Sequence, residues 1–99
     1  MTIRHVVSWQ LAATDPAAKA ESAATIRTLL HSLVGVVDDI RSLQVGTDVV
    51  GGGNWDVALV ADFDDVDAVG RYQVHPAHQE VAAVIRSLVS GRACVDFEV

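Results

Sequence analysis

The chain contains only 2 prolines, and each follows a residue able to cap a helix: Asp15-Pro16 and His75-Pro76. Proline biases the residue before it away from helical backbone, and it fits the first helical turn, where its missing N–H costs nothing. Both dipeptides therefore mark helix starts. Upstream of the first, Ile3, His5, Val7, Trp9 and Leu11 alternate with Arg4, Val6, Ser8 and Gln10, the period of two that sends one set to each face of a strand. Downstream, a helix is expected to about Ser32. Ala23, Ile26, Leu29, Leu30 and Leu33 recur every three or four residues on one side, and Gly35 supplies a stop.

Between the two helix starts, Ile40, Leu43 and Val45 sketch a second strand ending at Gly46, with imperfect alternation. Gly51-Gly52-Gly53-Asn54 then forms a turn-rich loop before a third strand, Trp55 to Phe63, so the two strands should pair as a hairpin. These glycines lack a Lys-Ser/Thr continuation and lead into a strand, which excludes a phosphate cradle and leaves a mobile loop. Asp64 is the expected cap of a short helix through about Gln73, with Asp65 and Asp67 at its positive end. From Pro76 a third helix presents Ala77, Val81, Val84, Ile85 and Leu88 to the core. Gly91 is expected to close it before a last strand from Arg92 to Val99.

The resulting order, β-α-β-β-α-α-β, is the split β-α-β of a ferredoxin-like α+β fold, and residues 1–99 read as a single domain without linker or repeat. In such a fold every helix lies on one face of the sheet. The other face, itself apolar, lacks cover, and packing against a second copy's sheet is the physical remedy.

Net charge at pH 7 is −6, which opposes contact with a phosphate backbone and argues against nucleic acid as a partner. Apolar runs such as Val57–Ala61 fall far short of the ~18 residues that would span a membrane, and the first residues carry no signal-peptide pattern. A cytoplasmic protein is expected. The single cysteine, Cys94, forbids an internal disulfide and any multi-cysteine metal site.

Of the 4 histidines, only His75 and His78 are close in sequence, in Tyr72-Gln73-Val74-His75-Pro76-Ala77-His78. Tetrahedral zinc needs three or four protein ligands, and no further donor stands at a familiar spacing, so no metal site is assigned. With His75 as cap, His78 occupies the third helical position, bordering the stripe of Val81, Ala82 and Ile85. The helix N-terminus and burial both disfavour a cation there, so its imidazole should stay neutral and able to accept a proton. Tyr72, the sole tyrosine, can turn inward with Val69 and Ala68, and its hydroxyl then needs a partner, which a substrate carbonyl could supply. His5 shares a strand face with Ile3, Val7 and Trp9, as a satisfied core histidine or a cavity-lining one. Asp96 either orients an imidazole or points outward by alternation between Val95 and Phe97. His31 suits the negative end of the first helix, Trp9 and Trp55 suit a core or pocket wall, and Cys94 has no histidine near it in sequence.

Taken together, several stretches resemble the stress-responsive dimeric α/β-barrel (Dabb) family along nearly the whole chain. They are Ile3-Arg4-His5-Val6-Val7, Leu43-Gln44-Val45-Gly46, Trp55 to Val60 with Phe63, Tyr72-x-x-His75-Pro76-x-His78, and Val95-Asp96-Phe97. The resemblance implies a homodimer closed by sheet packing, with a small hydrophobic cavity between sheet and helices in each protomer. It also implies a cofactor-free, metal-free reaction, since plant polyketide cyclases of this family use the cavity for aldol ring closure of poly-β-ketone chains. Their histidine base and tyrosine fall on His78 and Tyr72, and a first-strand histidine and an acidic position fall on His5 and Asp96. With Trp9 and His75, these last two are the expected substrate-binding residues. Where the cyclases carry a polar ring in the third strand this chain has Val57, so its pocket should be more apolar. The resemblance leaves two other roles open: a non-enzymatic stress or small-ligand-binding module, and an oxygenase on a related barrel.

Overall fold

The structure, a computed structural model, describes residues 1–99. Strand β1 (Ile3–Leu11) is followed by helix α1 (Pro16–His31), the hairpin strands β2 (Ser42–Thr47) and β3 (Val57–Phe63), helices α2 (Val66–Val74) and α3 (Pro76–Leu88), and strand β4 (Val89–Glu98). This is the ferredoxin-like α+β fold. The strands form one antiparallel sheet in the order β2-β3-β1-β4, so the first strand lies inside the sheet and the last at an edge.

Both proline signals mark real helix starts. Asp15 accepts the Ala18 N–H at 3.0 Å, and His75 accepts the Ala77 N–H through Nδ1 at 3.1 Å. The short helix is capped by Asp65, whose carboxylate accepts the Ala68 N–H at 2.8 Å, and not by Asp64. Asp64 instead pairs with Arg41, so the tandem acids divide between a cap and an ion pair.

The other end of α3 also departs from expectation. The helix stops at Leu88 and β4 begins at Val89, with no intervening loop. Gly91 lies inside β4, where an added Cβ would stand 3.1 Å from the Trp55 indole. Glycine is there for close approach and not as a helix stop. Trp55 itself precedes β3 and is partly exposed, and Val84, expected in the core, faces outward.

Alternation decides which sheet face meets the helices. Ile3, Val7, Trp9 and Leu11 of β1 are buried beneath them with Val57, Leu59, Ala61 and Phe63 of β3, and Ile26, Leu30, Val81 and Ile85 close the layer from above. No helix covers the opposite face. There Val6 pairs with Val60 on one side and with Val95 on the other, making an apolar row across three strands, and Phe97 on the same face is also exposed. No helix is long and apolar enough to cross a membrane.

Candidate active site

A cavity of about 350 Å³ opens between the inner sheet face and helices α2 and α3, within the ~300–1,000 Å³ range of small-molecule pockets. Its deepest side chains come from elements fixed by the core. His5 and Trp9 project from the inward positions of β1 and are only 2% and 5% exposed, while Tyr72 hangs from the buried side of α2 at 1%. His78, on the first turn of α3, is half-buried. Its ring lies 4.2 Å from that of Tyr72, centroid to centroid.

The hydrogen bonds assign a role to each imidazole nitrogen. Nδ1 of His78 sits 3.2 Å from the Gln73 carbonyl oxygen, which can only accept. Nδ1 therefore carries the proton and Nε2 keeps its lone pair. Burial lowers the His78 pKa from its ordinary value, and the positive charges of Arg92 and Arg86 add to that against the opposing pull of the Gln73 carbonyl. The ring is held neutral with one basic nitrogen. Tyr72 presents the complementary group: its hydroxyl is buried without any hydrogen-bond partner. Burial pushes its pKa up to about 12, with Arg92 pulling the other way, so the phenol stays protonated and can donate.

His5 is held by a residue far away in sequence. β1 and β4 pair His5 opposite Asp96, and His5 Nδ1 lies 2.5 Å from the Asp96 carboxylate. Asp96 thus orients an imidazole, as one of its two expected roles required, yet does not line the cavity. His75 does not line it either, because its ring nitrogen is occupied in capping α3. Of the residues named from the sequence, the cavity gathers His78, Tyr72, His5 and Trp9.

Strand register also assembles a group that spacing could not reveal. His5 Nδ1, Cys94 Sγ and an Asp96 carboxylate oxygen lie within 4.8 Å of one another, a donor set chemically able to hold a metal ion. Burial and then the charge of Asp96 push the Cys94 thiol pKa up, and the thiol stands 3.6 Å from that carboxylate. A cysteine binds a metal as its thiolate, and here the imidazole, thiol and carboxylate lie within hydrogen-bonding reach of one another. Sequence reasoning further missed Gln73, which sets the His78 tautomer, and Arg86 and Arg92, which line the cavity and are exposed to solvent. Parity was the available signal for Arg92, which shares an inward face of β4 with Cys94 and Asp96.

Fold and pocket together define a ferredoxin-like α+β domain with a partly open, largely apolar pocket lined by a neutral imidazole and a free phenol. The chain belongs to the Dabb, or stress-responsive A/B barrel, domain family, whose model matches residues 3–99. Among solved structures it is similar to a dimeric ferredoxin-like protein of unknown function from Bacteroides fragilis, with 27% identity, a TM-score of 0.91, and coverage of 99% of this chain and 96% of that one. A dimeric ferredoxin-like protein from Thermobifida fusca, also of unknown function, shows 29% identity and a TM-score of 0.85 over 100% and 92% of the two chains. The hydroxynitrile lyase of Passiflora edulis shares the fold at 14% identity, with a TM-score of 0.80 over 97% and 91%. No curated protein is significantly similar to the chain in sequence.

Proposed function

We propose that this Dabb protein is a homodimer paired through its uncovered sheet face, and that each cavity takes a small apolar carbonyl compound on which His78 and Tyr72 act without a cofactor. The observation that carries this reading is the convergence on one chamber of a basic nitrogen and an unsatisfied donor. A buried hydroxyl without a partner costs about 1–3 kcal/mol, and a ligand oxygen in the chamber would remove that cost. The dimer is supported by the row Val60-Val6-Val95 with Phe97, and by the dimeric state of the Bacteroides and Thermobifida proteins.

In the reaction, His78 Nε2 removes a proton from a carbon flanked by two carbonyl groups, and the C–H electron pair moves into an enolate. Tyr72 donates a hydrogen bond to the oxygen that gains charge. The enolate carbon then bonds to a second carbonyl carbon of the same molecule, and the imidazolium returns its proton to the new alkoxide. Aldol closure is complete, and the imidazole is neutral again. His5, fixed by Asp96, positions the substrate beside Tyr72, its ring centroid 5.9 Å from the phenol's. The hydroxynitrile lyase of Passiflora edulis is an enzyme built on the same fold.

The test is exchange of the C2 protons of a simple β-keto ester in D2O, followed by proton NMR. The wild-type protein should exceed the buffer rate. His78→Ala should lose that acceleration, worth on the order of 10²–10⁴-fold for a positioned base, while remaining dimeric. Wild-type exchange at the buffer rate would end the catalytic reading and leave a ligand-binding module.

A further inference from the structure

Arginine placement tells what else the ligand carries. The chain has 7 lysines and arginines against 13 aspartates and glutamates. Most of these cations are engaged: Arg4 pairs with Asp62, Lys19 with Asp56, Arg41 with Asp64 and Arg71 with Asp39. Arg27, Arg86 and Arg92 have no carboxylate partner, and two of those three, Arg86 and Arg92, line the cavity of His78 and Tyr72. They arrive from different elements, Arg86 from the last turns of α3 and Arg92 from an inward position of β4 opposite Trp9. No aspartate or glutamate lies among the 13 lining residues. Asp96, on the same face of β4, is turned to His5.

In a protein of net charge −6, unpaired guanidiniums at the mouth of a chamber without acids make a local positive potential over an apolar floor. A planar guanidinium matches a carboxylate in shape and charge, and lacks one here. Resting on the proposed function above, we infer that the ligand is a small apolar carbonyl compound bearing a carboxylate, held at the mouth by Arg86 and Arg92 with its apolar body inside. The polarity gradient supports that orientation. His5, Trp9 and Tyr72 are buried at the floor, and both arginines are exposed. The two arginines are specificity determinants: they choose which molecules enter and in which direction, and His78 and Tyr72 act on the end that goes in first.

Binding of two matched probes, 4-phenylbutanoate and the neutral 4-phenylbutanamide, tests the inference by calorimetry and by tryptophan fluorescence. Wild-type protein should prefer the carboxylate by tenfold or more, and the preference should shrink at high salt. Arg86→Gln and Arg92→Gln should each reduce it several-fold, and the double variant should abolish it. Unchanged amide affinity in the same variants shows that the chamber is intact. Equal affinity of wild-type protein for both probes, or a preference surviving in the double variant, overturns the inference while leaving the proposed function standing. If neither probe binds, the inference is overturned, and the proposed function is decided separately by the β-keto ester exchange.

Discussion

Replacing Tyr72 by phenylalanine separates a group kept for stability from one kept for function. The ring is 1% exposed and packs against Phe63, with centroids 5.0 Å apart, so Tyr72→Phe retains the packing and removes only the hydroxyl. That hydroxyl is buried and has no partner. Leaving such a group unsatisfied costs about 1–3 kcal/mol, so its removal should stabilise the protein by about 1–2 kcal/mol, a gain of roughly 5–10 °C in Tm for a domain of this size. Thermal unfolding of both proteins at one fixed concentration measures the gain, because a dimer's Tm depends on concentration. The same variant should lose most β-keto ester exchange, since the developing charge has lost its donor. A more stable but less active protein is the expected outcome. Destabilisation by more than about 1 kcal/mol would mean that the hydroxyl is satisfied within the fold, and the argument for a ligand oxygen would collapse.

Other outcomes follow from the same geometry. His78 has a lowered pKa in the folded protein, so below its unfolded value of about 6.5 the unfolded chain binds the proton first; stability should fall as pH drops through that point, less steeply in His78→Gln. Denaturant unfolding from about pH 7 to about pH 5 checks this, and an identical slope in both proteins would contradict it. The exchange rate should hold its plateau to a lower pH than an ordinary histidine allows, because the base form persists further into acid. Val95→Asp places a charge in the apolar row and should convert the proposed dimer to monomer in light scattering. Asp65→Ala should cost about 1 kcal/mol as a lost helix cap, whereas Asp64→Ala should leave Tm essentially unmoved; the reverse ranking would reassign the cap.

The features legible in the sequence were those encoded by neighbours along the chain. Alternation in Ile3–Leu11, the two capped prolines and the stripe of Ala23, Ile26 and Leu30 required no knowledge of distant contacts, and the element order followed from them. Boundaries set by tertiary contact were not legible. Gly91 looks like a helix stop until Trp55 is found against it, and nothing local distinguishes Asp65 from Asp64 as a cap. The site divides in the same way. His78 was placed by its helix position, while the partnership of His5 with Asp96, 91 residues apart, depends on the register of β1 against β4. Arg86 and Arg92 gain meaning only once the other cations are seen to be paired.

Leu88 of α3 passes directly to Val89 of β4, and the register against β1 then skips Ser90, which leaves one extra residue at that corner. A guest that pushes the helix outward displaces the start of the edge strand, with the irregularity at Ser90 as the one joint between them. That strand carries Arg92 on its chamber side and Val95 and Phe97 on the side left bare by the helices. The pocket wall and the face of the proposed dimer thus share one continuous stretch of main chain.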